Sequence, residues 1–335
     1  MSQTILDSAN KASIFHYRET GKINWSDLSK IAYNPEQTLN AELCRMGLVH
    51  PLANLGLAPE DTVLEEFQGG FITALRIDKS VVTMAAIRQA ANAEIANRLE
   101  GLPEDQGLSR DERTAILAAM QSKLIEVAPE VSKYVPVLID TVQSRIFIFD
   151  NAPKVTNAVT LRFSNMFAGN IDIIPWSHLA AKADISNIGA ELLKKLQLFL
   201  SSDDAQDTLF EECQPLSFGM GVKLTRLDDT AGNDANLPQF DLGDESMTNF
   251  VERATYVDRL GFYLTDGSSD IEFQLNSKLQ FLKLGLRSSI ESNLSEDDQA
   301  DVTAEIRATA MLMVDSINVM VNNLSNFLGI RPELE

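Results

Sequence analysis

Cysteine is scarce in this chain of 335 residues, which contains only two, Cys44 and Cys213. They lie far apart in the sequence, and neither belongs to a Cys-x-x-Cys pair, the spacing shared by many zinc and redox sites. A disulfide framework and a zinc site are therefore not expected. The composition fits the reducing environment of the cytoplasm.

Histidine is also scarce, with three residues at His16, His50 and His178. None of them belongs to a His-x-His or His-Glu-x-x-His pattern, and none lies near a cysteine, so the spacings typical of metal sites are missing. A structural or surface role is therefore favoured over a catalytic role for each histidine.

Phosphate loops and nucleophile elbows are missing as well. Gly219–Gly221 is an isolated Gly-x-Gly before a predicted strand, whereas a phosphate loop lies between a strand and a helix. Five loop aspartates lack the spacing of a calcium loop and are interpreted as solvated charge. These are Asp203, Asp204, Asp207, Asp228 and Asp229. We therefore expect no enzyme activity, no metal and no cofactor.

Basic residues are outnumbered, with 28 Lys and Arg against 48 Asp and Glu and a formal net charge of -20 at pH 7. This charge argues against a protein that binds nucleic acid with its whole surface, because most of that surface would repel phosphates. It does not exclude a local basic stripe, since a total says nothing about how the charges are distributed.

Long apolar runs are also missing. No run approaches the roughly 20 residues that a membrane helix needs, so no membrane partner is expected. Residues 1–11 are polar and lack the apolar segment of a signal peptide, and we expect them to form a flexible N-terminal tail.

The clearest structural signal is Val135–Asp150, in which β-branched and aromatic residues dominate two arms. It predicts two β-strands joined by a tight turn at Thr141–Ser144. The second arm, Ile146–Phe149, is apolar on both faces, which favours a central strand. Helical patterns at Arg110–Val127 and Pro153–Phe167 flank this hairpin, so the predicted fold class is α+β with a central antiparallel sheet.

Two consecutive helices are predicted before the hairpin. Val82–Leu99 is rich in alanine, and Arg110–Val127 begins with a capping box formed by Ser109 and Glu112. Joined by a polar loop, the two predict a helical hairpin that projects from the sheet.

The C-terminal half predicts a second sheet and a long helix. Tyr256–Leu264, Asp270–Leu275 and Leu279–Leu284 are interpreted as an antiparallel meander, since apolar and polar residues alternate. The last helix is predicted to be capped by Ser295 and to end at Gly329.

These elements define the predicted domains. Residues 1–11 form the tail, and 12–82 together with 135–185 form a central sheet domain. Residues 83–134 form a helical tip, and 186–335 form a base domain of strands and the long helix.

Basic residues recur in the strands of the predicted base domain despite the acidity of the chain. Strands of one sheet can align such side chains into a stripe that contacts phosphates. This pattern alone does not distinguish a groove that binds nucleic acid from scattered surface charge. The candidate residues are Lys223, Arg226, Arg259, Lys278, Lys283 and Arg287.

Motifs spread over nearly the whole chain are similar to those of a known family. Arg45–Leu52 resembles a basic-Met-Gly-Trp-Val-Pro-Pro segment, with Leu48 in place of the tryptophan. Leu138–Thr141 followed by Ile146–Ile148 resembles an Ile-Asp-Thr hairpin, and Tyr256–Leu260 resembles the start of a late meander. In order and spacing these motifs resemble the recombination-associated protein RdgC family.

The resemblance implies a homodimer closed into a ring, with sheet domains, helical tips and bases. It implies non-specific binding of duplex DNA through a positively lined hole, at the nucleoid in the cytoplasm, and modulation of RecA-type recombination. The six basic residues named above would contact phosphates. Lys133 and Tyr134 lie in a segment similar to the family's tip and would sit at the dimer contact.

The chain departs from the family pattern where basic residues matter most. Gln280 and Phe281 stand where the family has the first two basic residues of a late strand, and only Lys283 remains. The hole is therefore expected to be less positive and its DNA affinity weaker. The alternative is an acidic interaction protein or DNA mimic that keeps the ring, as the acidic stretches 201–212 and 228–245 suggest.

Overall fold

The computed structural model describes residues 4–36, 44–101, 103, 107–182, 187–200, 216–225, 235–237, 245–265, 270–286 and 301–330. Within them the chain is α+β with two β-sheets, which confirms the predicted fold class at this level. The strands are β1 (Ser13–Glu19), β2 (Cys44–Val49), β3 (Glu65–Phe67), β4 (Gly70–Ser80), β5 (Glu130–Asp140), β6 (Arg145–Ile148), β7 (Ile171–Pro175), β8 (Leu216–Thr225), β9 (Ala235–Leu237), β10 (Tyr256–Thr265), β11 (Asp270–Asn276) and β12 (Phe281–Leu284). The α-helices are α1 (Met84–Glu100), α2 (Arg110–Val127), α3 (Pro153–Met166), α4 (Trp176–Lys182), α5 (Ile188–Leu200), α6 (Glu245–Arg253) and α7 (Val302–Leu328).

The first sheet has the strand order β2-β4-β5-β6-β1-β7, with β3 paired to β4. The predicted central hairpin is confirmed, because β5 and β6 pair antiparallel with Ile139 opposite Ile146 and Asp140 opposite Arg145. Strand β1 lies between β6 and β7 and pairs antiparallel with both. Every residue of β6 is buried, as its apolar sequence predicts for a central strand.

Aromatic side chains fill one face of the first sheet. The Trp25 ring centroid lies 5.3 Å from Tyr17, 6.1 Å from Phe163 and 5.2 Å from Phe167. Edge-to-face pairs of this kind add about 0.5–1.5 kcal/mol beyond the burial itself. His16, next to Tyr17 on β1, points to the opposite face because side chains alternate along a strand. On that face helix α7 hydrogen-bonds to β6.

The second sheet has the order β12-β11-β10-β8-β9, and the predicted meander is confirmed in β10, β11 and β12. Phenylalanines line its inner face. The rings of Phe218 and Phe262 lie 6.2 and 6.1 Å from Phe327 on α7, and Phe199 on α5 lies 5.0 Å from Phe218. Helices α5 and α7 therefore cover one face, and the alternate side chains of the strands point away from them.

Helix α7 begins later than the sequence predicts. Its N-cap is Asp301, whose Oδ1 accepts a hydrogen bond of 2.9 Å from the backbone N–H of Thr303. The cap predicted at Ser295, which lies outside the described residues, is therefore wrong for this helix. The predicted end is confirmed, because Gly329 adopts a left-handed conformation with φ 70°. None of the described helices is both long enough and apolar enough to cross a membrane.

The N-terminal segment differs from the flexible tail predicted over residues 1–11. Ile5 and Leu6 are each 4% exposed in a short 3-10 helix. Ala12 exchanges two backbone hydrogen bonds of 3.1 and 2.9 Å with Phe281 on β12. Strand β12 is a sheet edge whose backbone groups need partners, and the segment that precedes β1 provides them.

The chain divides into two compact units. The larger unit is Met1–Ala32, Leu48–Leu75 and Val135–Glu335, and the smaller is Tyr33–Gly47 and Arg76–Tyr134. The predicted helical tip, 83–134, falls wholly within the smaller unit. Residues 33–47 and 76–82, assigned to the central sheet domain from sequence, belong to that unit too, and the predicted base domain belongs to the larger one.

The smaller unit contains the predicted helical hairpin, formed by α1 and α2. The capping box is confirmed, because Ser109 Oγ accepts a 3.2 Å hydrogen bond from the Glu112 N–H and Glu112 Oε2 accepts a 2.8 Å bond from the Ser109 N–H. On α2, Ile116 is buried, whereas Val127 at the end of the helix is 78% exposed. The apolar side chains of α2 are therefore only partly covered.

Candidate nucleic-acid interface

Three of the predicted DNA-binding residues lie on one face of the second sheet. Lys223 on β8, Arg259 on β10 and Lys283 on β12 each stand next to a buried leucine of the same strand. Because side chains alternate along a strand, these cations point away from the face covered by α5 and α7. The neighbouring core leucines are Leu224, Leu260 and Leu284.

The strand register brings these cations together. Arg259 lies directly opposite Lys223 on β8 and opposite Asn276 on β11. Lys283 lies opposite Gln274, one side-chain repeat along β11 from Asn276. Residues directly opposite each other have Cβ atoms about 5 Å apart. We call the face that carries Lys223, Arg259 and Lys283 the cationic face.

The other three predicted cations are not part of this arrangement. Lys278 is exposed in the turn between β11 and β12, where its N–H donates a 2.9 Å hydrogen bond to Asn276 Oδ1. Arg226 and Arg287 lie outside the described residues. The described part of the chain thus brings three of the six candidates onto one face.

Carboxylates lie among these cations. Asp258 Oδ2 is 3.0 Å from Lys223 Nζ, and Glu272 is exposed on β11 opposite Tyr263. Asp258 could not be predicted as part of this face, because its approach to Lys223 depends on a register shift between Val257 and Arg259 that no residue pattern reveals. A partly exposed pair of this kind contributes about 0–1 kcal/mol, so a phosphate can displace the carboxylate at little cost.

A concavity of about 370 Å³ runs beside the cationic face along β11 and β12. It is at the low end of the volumes of small-molecule sites, so it can receive a single group of a ligand rather than a duplex. Its polar lining comes from Asn10, Glu272, Gln274 and Lys283.

The Gly219–Gly221 motif lies inside strand β8, at a register shift against β10. Gly221 has φ 92°, and a Cβ on Gly219 would lie 2.9 Å from the backbone of Phe262. Both glycines therefore serve a β-bulge that only glycine accommodates. The motif lies between two stretches of one strand and not at the start of a helix.

The two residues predicted at a dimer contact lie on β5 in the smaller unit. Lys133 is exposed, and the Tyr134 ring lies 5.8 Å from the guanidinium of Arg76. Arg76 also lies 4.5 Å from the ring centroid of Tyr33 and forms a two-point ion pair with Asp78, with N–O distances of 2.9 and 2.8 Å. Tyr134 is thus held by contacts within its own chain.

The Arg76–Asp78 pair was not predicted from the sequence. Residues two positions apart on a strand have side chains on the same face. The Arg-x-Asp pattern on β4 is therefore the feature of the sequence that could have predicted this ion pair. Burial alone would raise the pKa of Asp78, but hydrogen bonds from Arg76, Tyr33 and Ser132 outweigh it and hold that pKa below its usual value. The carboxylate therefore stays ionised at neutral pH and fixes Arg76.

The histidines have the structural or surface positions favoured from sequence. His50 is buried, with Nε2 at 3.0 Å from Glu65 Oε2 and Nδ1 accepting the N–H of Leu52 at 3.3 Å. His16 is buried in β1, and His178 is exposed on α4. In the described ranges no group of three or more His, Cys, Asp or Glu side chains is arranged to hold a metal ion.

Comparison with known proteins adds no family assignment. No protein-family model matches the chain, and no curated protein is significantly similar to it.

Proposed function

We propose that this chain is a non-catalytic DNA-binding protein of the RdgC type, which encircles duplex DNA as a homodimer without reading its sequence and modulates RecA-type recombination. In a cell it would act at the nucleoid. The observation that supports the proposal is the shared orientation of Lys223, Arg259 and Lys283 on the polar face of the second sheet.

The chemistry of this face suits phosphate contacts and not base recognition. Lysine and arginine neutralise phosphates and release counterions, which gives affinity without sequence information. Lys223, Arg259 and Lys283 gather on a face that also carries Asp258 and Glu272, in a chain whose net charge is -20. Concentrating cations in one place while carboxylates dominate elsewhere would guide DNA to this face.

Removal of the three charges should weaken DNA binding. In the variant K223Q/R259Q/K283Q we expect the affinity for duplex DNA to fall on the order of a hundredfold at low salt, because three phosphate contacts are lost. The slope of log affinity against log salt should become less steep by about 3, roughly one unit for each contact. Fluorescence anisotropy with a labelled duplex, titrated from about 50 to about 200 mM salt, measures both quantities.

The matched control removes two lysines and one arginine elsewhere. Lys22, Lys30 and Arg88 are exposed and lie outside the second sheet, so K22Q/K30Q/R88Q changes the net charge equally. It should keep most of the wild-type affinity and slope. Equal losses in both variants would mean that net charge alone acts, and absence of wild-type binding at micromolar protein in low salt would refute the proposal.

The rival candidate is an acidic interaction protein or DNA mimic. It is favoured by Asp258, which neutralises Lys223, and by exposed Glu272 on the same face. It predicts no affinity for DNA and retention of a basic protein partner from nuclease-treated extract. The anisotropy titration separates the two candidates, since only the DNA-binding protein responds to the labelled duplex.

Self-association can be tested at Lys133 and Tyr134. If this exposed part of β5 contacts a second copy, K133E should shift the protein from twice its mass of 37.0 kDa toward a monomer. The control K123E makes the same charge change on the exposed surface of α2 and should leave the mass unchanged. Sedimentation velocity at micromolar protein measures the mass, and a wild-type monomer would contradict the ring.

A further inference from the structure

A row of polar residues crosses the first sheet beneath helix α7. Asp140 on β5 lies opposite Arg145 on β6, and Arg145 lies opposite His16 on β1. Directly opposite residues share a face, so the three side chains lie side by side. All three are buried, with exposures of 2%, 4% and 3%.

Helix α7 satisfies most of this row. Asn318 and Asn322, one helical turn apart, accept hydrogen bonds of 2.6 Å each from Nη1 and Nη2 of Arg145. Asn318 Nδ2 also donates a 2.7 Å hydrogen bond to Asp140 Oδ2. The guanidinium and the carboxylate are therefore joined through one amide.

Helix α7 leaves two nitrogen atoms of the row without a hydrogen bond. Arg145 Nε and His16 Nε2 are both inaccessible, and neither has a hydrogen-bond partner among the residues the structure describes. A buried polar group without a partner costs about 1–3 kcal/mol. Buried water normally satisfies such groups, and it needs two or more polar atoms to hold it.

We propose that a single buried water molecule bridges Arg145 Nε and His16 Nε2 between strands β1 and β6. The Nε–H of arginine can only donate, so the water oxygen accepts from it and the water donates to His16 Nε2. His16 is then neutral with its proton on Nδ1, because the positive charge of Arg145 favours a lone pair on the ring nitrogen that faces it. Burial and Arg145 lower the pKa of His16 to about 4, which agrees with a neutral ring at pH 7.

The surrounding charges select water over a small anion. Asp140 already balances the charge of Arg145. Burial, and then the nearby carboxylate of Asp140, raise the pKa of Asp315 on α7. An anion bound in the row would lie near the carboxyl groups of Asp140 and Asp315, and no further cation in the row would balance its charge. Water is neutral and can accept and donate at once.

A crystal structure grown with bromide replacing chloride tests the assignment. We expect an isolated oxygen-like peak about 3 Å from both nitrogens, without anomalous signal. An anomalous bromide peak, a direct contact between the two side chains, or no density at this position would each overturn the proposal. In H16F, which removes the acceptor, the peak should be lost while the contacts of Arg145 with Asn318 and Asn322 remain.

Nitrogen NMR of the full chain tests the tautomer in solution, without a variant that must fold. His16 should show a protonated Nδ1 and an unprotonated Nε2 at pH 7. A protonated Nε2 would overturn the proposed hydrogen-bond pattern.

Discussion

Asp140→Asn is expected to lower the free energy of unfolding by about 3 kcal/mol or more, because it leaves the buried guanidinium of Arg145 without its countercharge. The change keeps an oxygen that can accept the N–H groups of Val142 and Gln143, which Asp140 Oδ1 binds at 2.8 and 3.0 Å. The loss therefore reports on the removed charge and on the hydrogen bond from Asn318 Nδ2 to Oδ2, and not on the turn. Urea unfolding followed by circular dichroism measures it.

An exposed pair in the same sheet provides the control. Arg18 and Asp172 lie 3.1 Å apart across β1 and β7, with side chains 46% and 52% exposed. Asp172→Asn should cost less than about 1 kcal/mol, since solvent screens the pair. The double variant D140N/R145M should recover part of the stability lost in D140N, because the unpaired charge is gone. Equal effects of D140N and D172N would contradict a buried, coupled pair.

The second large effect concerns pH and His16. Burial and Arg145 lower its pKa from an ordinary 6.5 to about 4 in the folded chain. Between these values the unfolded chain binds a proton that the folded chain does not, so stability falls as the pH drops from about 6.5 to about 4. The full difference corresponds to about 3 kcal/mol. Urea unfolding at several pH values over this range measures the loss.

His16→Gln isolates this contribution, because glutamine has no proton to gain. The stability difference between wild type and H16Q should shrink or reverse as the pH falls, while carboxylate titrations affect both proteins alike. His178→Gln makes the same substitution at an exposed histidine and serves as the control. Parallel pH curves for wild type and H16Q would show that His16 is not buried beside Arg145.

Local patterns were sufficient to predict the strands that form the centre of each sheet. The alternation in Ile271, Phe273 and Leu275 and the β-branched arms around Thr141–Ser144 both appear as paired strands. The pattern also indicates that Lys223 and Arg259 face away from the core, since each lies beside a buried leucine. These features depend on residues within a few positions of each other.

Features that join distant parts of the chain could not be predicted in this way. Arg145 appears in the sequence as an ordinary turn charge, and its partners Asn318 and Asn322 are on a helix late in the chain. The packing of Ile5 and Leu6 likewise depends on the rest of the fold. A buried charge is recognisable only when the groups that satisfy it are known.

The backbone bridge between Ala12 and Phe281 limits when the N-terminal segment can reach its folded position during synthesis. During synthesis, β1 leaves the ribosome long before β6, β7 and β12, which the first segments of the chain need as neighbours. Contacts between residues that are so distant in sequence form late, and they make folding slower. The backbone of Ala12 must therefore wait for Phe281 through most of translation, when a chaperone would protect it best.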